Sequence, residues 1–292
     1  MTNPGVTSLL SKRLTRLAVL ALLAIFTLAY FALSPVFGKS LYYLLLFRPS
    51  VYPRGYYEYR EVAGVKAEDV FFPTANGAKL HGWYFYKPDS KYVVLMHHGQ
   101  GGNLAILQTY IDAALRSNAS MMVYDYRGYG RSQGKPSING ICEDAEAALG
   151  FLSKVKRWQP KQIIDLGLSM GTGPASELAL KHNFAGVILV APFTTLRTAC
   201  RDVVPFLKVY PDALWPDHDI GPEFLVAKRQ HPPILIFHGE HDNYLPVRYS
   251  EKLSKIGRQP LQLVRLNGGH GNIAKQGSPM FARINEFVAQ LP

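Results

Sequence analysis

IIDLGLSMGTGPASELAL, Ile163 to Leu180, is the stretch on which the fold turns. Its first six residues form a short, mostly apolar run bounded by glycine, the pattern of a strand buried on both faces of a parallel sheet. Its last nine, TGPASELAL, are rich in small residues and begin a helix. Between them GLSMG, Gly167 to Gly171, places a serine between glycines at a strand-to-helix turn. Such a turn forces a strained backbone that only small neighbours permit. It lifts the Ser169 hydroxyl into view and puts a helix amino terminus, with its N–H groups and positive dipole, behind it. The string alone also fits a glycine-rich loop without chemistry. Its place between a strand and a helix makes it specific.

Outward from this turn, short apolar runs alternate with segments of helical period. The runs are Val70–Phe72, Lys79–Tyr86, Tyr92–Met96, Ser120–Tyr126, Ile163–Leu168, Gly186–Ala191, Pro233–Phe237 and Leu261–Leu266. The first two read as a hairpin turned by Asn76-Gly77. Helical stretches at Leu104–Leu115, Ile141–Val155, Gly173–Lys181, Val247–Ile256 and Met280–Leu291 supply the crossovers. The pattern predicts an α/β fold: a mostly parallel, doubly wound sheet with an antiparallel start. One connection, Pro192 to Pro232, is long, apolar and broken by Pro205, Pro211 and Pro216. It reads either as a small lid over the carboxyl ends of the strands or as an ordinary long crossover.

A serine hydroxyl needs a base within hydrogen-bond reach to act as a nucleophile. When the nucleophile sits on such an elbow, the acid follows it in the chain and the histidine comes last. His270, in the glycine-rich NGGHGN after LQLVRL, fits the base. PILIFHGEHDNYLP offers Glu240 and Asp242 as the acid. Asp242 is preferred because it begins the turn that Leu245-Pro246 stiffens, and a fixed acid holds the histidine tautomer. An oxyanion hole needs two N–H donors. Met170 follows the nucleophile and gives one, and Gln100 in HHGQGGN, His97 to Asn103, is the candidate for the other. His98 is expected to hold that loop by hydrogen bonding, and Asp125 and Arg127 in YDYRGYG to fix a turn together. His182 and His218 stand aside from this set.

The amino terminus is of another kind. After Lys12, Arg13 and Arg16, the uncharged run Leu17 to Phe37 has the length of one bilayer crossing and no polar face. A cleaved signal peptide is the rival reading, with Ala32 to Ser34 as its small-residue site. LYYLLLF, Leu41 to Phe47, is too short to span. With Tyr52, Tyr56, Tyr57 and Tyr59 it forms an aromatic stretch suited either to the membrane surface or to a collar on the following domain. The expected division is a basic flank at 1–16, an anchor at 17–37, a juxtamembrane collar at 38–66 and a catalytic domain at 67–292, with the lid within 192–232. The slight excess of basic residues before the run favours the catalytic domain on the non-cytoplasmic side.

The chain has 292 residues, 48% of them hydrophobic and 18% charged, enough to bury one large core. Its net charge of +11 comes from scattered Lys and Arg without a nucleic-acid-binding signature, so a partner of that class is not expected. Basic residues near anionic lipid account for it more simply. Cys142 and Cys200 form neither a metal cluster nor a disulfide framework.

HHGQGGN, YDYRGYGRSQGKPS (Tyr124 to Ser137), GLSMG, the HGEHD element (His238 to Asp242) and the final GGH occur in order and together resemble membrane-anchored α/β-hydrolases of the BEM46 type, which include mammalian ABHD-class members. The resemblance spans roughly Glu68 to Leu291 and implies the α/β-hydrolase fold. It also implies Ser169 as nucleophile, Asp242 as acid, His270 as base, and Gln100 and Met170 as oxyanion donors. Gln100 stands where the family usually has asparagine, and Leu245 where valine is usual. The expected activity is that of a serine hydrolase of carboxylic esters or thioesters, acting on a lipid-like small molecule or an acylated protein at a membrane, without metal or organic cofactor. An acyltransferase using the same triad is one alternative, and a non-catalytic binding module on this fold is another. Peptide hydrolysis has no supporting feature in the sequence.

Overall fold

The structure is a computed structural model that describes residues 4–50, 61–216, 218–258, 260–274 and 278–292. Tyr52, Tyr56, Tyr57 and Tyr59 lie outside them, so the tyrosine-rich half of the juxtamembrane stretch is not described. One eight-stranded sheet organises the rest. In chain order its strands are β1 (Glu68–Pro73), β2 (Lys79–Phe85), β3 (Val93–His97), β4 (Ser120–Tyr124), β5 (Ile163–Leu168), β6 (Gly186–Val190), β7 (Ile234–Gly239) and β8 (Leu261–Leu266). Across the sheet they run β8-β7-β6-β5-β3-β4-β2-β1. Pairings β1–β2 and β2–β4 are antiparallel and the others parallel. This is the doubly wound sheet with an antiparallel start that the alternation predicts. The hairpin turns where Asn76-Gly77 places it, with Gly77 at φ +84°, a region open to glycine.

Every residue of β3, β4, β6 and β7 is buried, which is why these strands read as unbroken apolar runs. Helices α3 (Gln108–Arg116), α4 (Ile138–Lys154), α5 (Thr172–Lys181), α8 (Arg248–Ile256) and α9 (Pro279–Gln290) cover the two faces. Two apolar clusters result. One holds Tyr124, Ile141, Leu178 and Ile236, the other Trp83, Ile111, Ile188 and Phe287. Helix α4 begins three residues before the periodicity suggests, because Ser137 Oγ accepts the Gly140 N–H at 3.0 Å and caps it.

Between β6 and β7 the long connection folds into α6 (Leu196–Val203), two short 3-10 turns (Pro205–Val209 and Asp212–Leu214) and the single-turn α7 (Pro222–Val226). The proline positions explain why no long helix forms here. Helix α1 runs from Pro4 to Ala32, five residues short of the end of the apolar run. Ser34 and Pro35 turn the chain, and the Val36 N–H donates to Leu214 O at 3.0 Å. At its carboxyl end, the Tyr30 ring lies 4.9 Å from Tyr210 and its hydroxyl donates to Val209 O. Helix α2 (Lys39–Leu46) then packs on the domain, with Tyr42 and Phe47 buried. Thus the described half of the collar rests on protein.

Candidate active site

Ser169 begins a 3-10 turn between β5 and α5, with φ at +51°, the left-handed region that costs a side-chain-bearing residue energy. Close packing holds it there. A Cβ on Gly171 would lie 2.1 Å from His97 O, and one on Gly167 would lie 2.6 Å from Gly171 O. Both glycines are therefore required by approach distance: backbone from β3 passes directly against the turn.

The Ser169 hydroxyl donates to His270 Nε2 at 2.8 Å, and His270 Nδ1–H donates to Asp242 Oδ2 at 2.7 Å. The three residues, widely separated in sequence, thus form one hydrogen-bonded line. Asp242 Oδ1 accepts the N–H groups of Tyr244 (2.9 Å) and Leu245 (2.8 Å), which fixes the carboxylate plane. Burial on its own would raise this carboxyl. The adjacent His238 and His270 side chains and the Leu245 N–H outweigh it and hold the group well below the usual carboxylate range. Asp242 is therefore ionised beside the His270 ring. Glu240 is exposed and faces Arg265 at 3.6 Å, away from the line.

Sequence reasoning passed over His238. Its Nε2–H donates to Leu245 O and its Nδ1 accepts from Ser250 Oγ, both at 2.6 Å, and Asp242 Oδ2 lies 3.5 Å away. It braces the loop that carries the acid. Its place four residues before Asp242 in HGEHD was the available signal. Beneath the nucleophile strand, His97 bridges Tyr124 Oη and Asp165 Oδ1 at 2.7 Å each, tying β3 to β4 and β5.

The loop after β3 borders the serine: a Cβ on Gly99 would lie 3.6 Å from Ser169 Cβ. Gln100 N–H has no acceptor among the described residues. Met170, at the amino end of a helix, carries an N–H without an intrahelical acceptor. Gln100 and Met170 both line the pocket that Ser169 lines. His98 Nδ1–H donates to Gly99 O at 2.7 Å, and its Nε2 accepts the Tyr126 N–H. Burial lowers its pKa, so it is neutral and holds the loop. Asp125 and Arg127 both fix turns, but not with each other. Asp125 Oδ1 accepts the Leu104 N–H at 2.8 Å, and Arg127 pairs with Asp144 and Glu143. His182 and His218 face Glu146 and Glu177.

Ser169 lines a pocket that opens to the surface. The connection between β6 and β7 supplies Leu196, Cys200, Val204 and Leu207, and α2 supplies Tyr42 and Leu46. Among its described lining residues none is charged. The wall from α2 was not assigned from the sequence, because an isolated LYYLLLF gives no sign of the surface it meets. Burial pushes the thiols of Cys142 and Cys200 up to about 12, so neither is a nucleophile. Among the described residues, no three His, Cys, Asp or Glu side chains gather as a metal site.

Strand order, elbow and loop placement together define an α/β-hydrolase. A family model described as serine aminopeptidase, S33, matches residues 88–231, which include Ser169 but neither Asp242 nor His270. The chain is 32% identical over 206 residues to α/β hydrolase domain-containing protein 17B of Xenopus laevis, covering 70% of this chain and 68% of that protein. It is 31% identical over 226 residues to the uncharacterized Mycobacterium tuberculosis protein Rv2307c, covering 76% and 79%. The chain belongs to the ABHD-like family of α/β-hydrolases. Among solved structures, the Pyrococcus furiosus esterase Pf2001 shares the fold at a TM-score of 0.67 and 19% identity, over 84% of this chain and 98% of that one.

Proposed function

We propose that this protein is a membrane-anchored serine hydrolase that cleaves carboxylic esters or thioesters of acyl chains through an acyl-enzyme. The observation that carries the reading is the line Ser169 Oγ–His270 Nε2 (2.8 Å) and His270 Nδ1–Asp242 (2.7 Å) at the floor of an apolar cavity. In this reading Ser169 Oγ attacks the acyl carbonyl while His270 Nε2 takes its proton, and Asp242 stabilises the imidazolium. The N–H groups of Gln100 and Met170 receive the oxyanion. Collapse breaks the bond to the leaving alcohol or thiol, which takes the proton from His270. Water then attacks the acyl-enzyme, His270 accepts its proton, and Ser169 recovers that proton as the free acid departs.

The uncharged cavity favours an acyl chain over a polar substrate. An aminopeptidase, the activity in the family model's description, would need a carboxylate to hold a free amino terminus, and the lining offers none among the described residues. Lys12–Ala32 is long and apolar enough to cross a bilayer, about 31 Å at helical rise, and apart from the half-buried Tyr30 its residues are exposed. The decisive experiment is labelling by a fluorophosphonate probe with turnover of esters of graded chain length. Ser169→Ala should abolish both, and His270→Ala should lose a comparable factor in turnover because the two act as a unit. Labelling that persists at another serine would refute the assignment.

A further inference from the structure

Three parts of the molecule meet at the side chain of Gln100. Its Nε2–H donates to Leu45 O, near the end of α2, at 2.9 Å. Its Oε1 accepts from Tyr244 Oη at 2.9 Å, and the Tyr244 ring lies 5.2 Å from the His270 ring. The backbone of the same residue is also held: Gln100 O accepts the Arg48 N–H at 3.1 Å and the Tyr129 hydroxyl at 2.7 Å. Just beyond, Arg48–Pro49 pairs in parallel with Gly101–Gly102, and the Ser50 N–H donates to Gly102 O at 3.1 Å. A loop with glycines at 99, 101 and 102 has little internal stiffness, so its position depends on these outside contacts. The chain that makes them is the chain that has just left the membrane-spanning helix.

We infer that Gln100 is a positioning residue whose side chain straps the oxyanion loop to the membrane-proximal helix and to the Tyr244 loop, making residues 39–50 a working part of the active site. This rests on the acyl-enzyme reading above. An oxyanion donor works only when held where the charge develops, and a displacement of about 1 Å costs on the order of a hundredfold in rate. Asparagine at this position is shorter by one methylene and leaves at least one of the two side-chain bonds unmade. The glutamine is thus matched in length to the gap between Leu45 O and Tyr244 Oη. The strap also gives the anchor-proximal segment a route to the chemistry that does not pass through the substrate pocket.

The test uses the full-length protein in detergent with p-nitrophenyl butyrate, a chain too short to depend on the outer pocket. Gln100→Met keeps the backbone N–H and the side-chain length but removes both hydrogen bonds. Tyr244→Phe removes one and keeps the ring against His270. Each should lower kcat on the order of tenfold with KM changed less than about twofold. The double variant should lose no more than Gln100→Met alone, because both act on one strap. Gln100→Asn should resemble Gln100→Met. Unchanged kcat with a lowered melting temperature would assign the strap to stability alone and overturn the inference. A rise in KM at constant kcat would overturn it as well, by making Gln100 a substrate contact. Turnover that survives Ser169→Ala would overturn the reading of the site itself, and this inference with it.

Discussion

At the scale of single residues, two carboxylates two positions apart have opposite surroundings. Asp242 is buried, bonded by two backbone N–H groups and aimed at His270, whereas Glu240 is exposed beside Arg265. Asp242→Asn should leave the fold intact yet lower kcat by up to about four orders of magnitude, because an amide favours the wrong histidine tautomer. Glu240→Gln should change kcat by less than about threefold, since it removes only a solvated ion pair. Steady-state kinetics on one soluble ester check both, and a reversed order would make Glu240 the acid. The elbow glycines give a second contrast. A methyl group on Gly171 meets backbone oxygen at 2.1 Å, where no rotamer change can relieve it, whereas one on Gly101 meets nothing within 4 Å. Gly171→Ala should therefore cost at least about 3 kcal/mol in urea unfolding or abolish soluble expression, and Gly101→Ala should cost under about 1 kcal/mol.

At the scale of elements, the buried strands were legible because each is an apolar run of strand length, and the elbow because glycine and serine are confined there by geometry. The order serine, carboxylate, histidine was legible along the chain, and Ser169, His270 and Asp242 meet in one hydrogen-bonded line. What stayed hidden depends on distant surfaces meeting. The pocket wall from α2, the brace from His238 and the separate partners of Asp125 and Arg127 are tertiary facts with no local pattern to announce them. The long connection before β7 shows the same limit: its sequence left a small lid and an ordinary long crossover both open, and its place beside Ser169 and α2 depends on tertiary packing. Cys200 on α6 faces the shared cavity, with Sγ 3.7 Å from Tyr42 Oη. Cys200→Phe should fill part of that space and lower kcat/KM for a twelve-carbon ester on the order of tenfold relative to a four-carbon one. An equal loss on both esters would mean that the acyl chain lies elsewhere.

At the scale of the whole molecule, the proposed anchor is joined to the catalytic body by contacts as well as by chain. Tyr30 against Tyr210 and Val36 against Leu214 fix the end of α1 on the connection between β6 and β7, and α2 then enters the pocket wall. Leu33, Phe37, Leu41 and Leu44 near that junction, with Phe206 and Val209 on the connection between β6 and β7, are exposed apolar side chains. This arrangement suits a substrate whose acyl chain already resides in lipid. Deleting residues 1–37 removes the anchor but leaves α2, the strap to Gln100 and every residue of the Ser169–His270–Asp242 line. The truncated protein should be found in the soluble fraction and keep most of its activity on a four-carbon ester. Its activity on a long-chain ester embedded in vesicles should fall on the order of tenfold or more relative to that soluble ester, because the two-dimensional encounter is lost. Two observations would count against the anchor: a mature chain that begins after Ser34, which would mean a cleaved signal, and full-length protein that high salt washes from membranes, which would mean electrostatic adsorption alone.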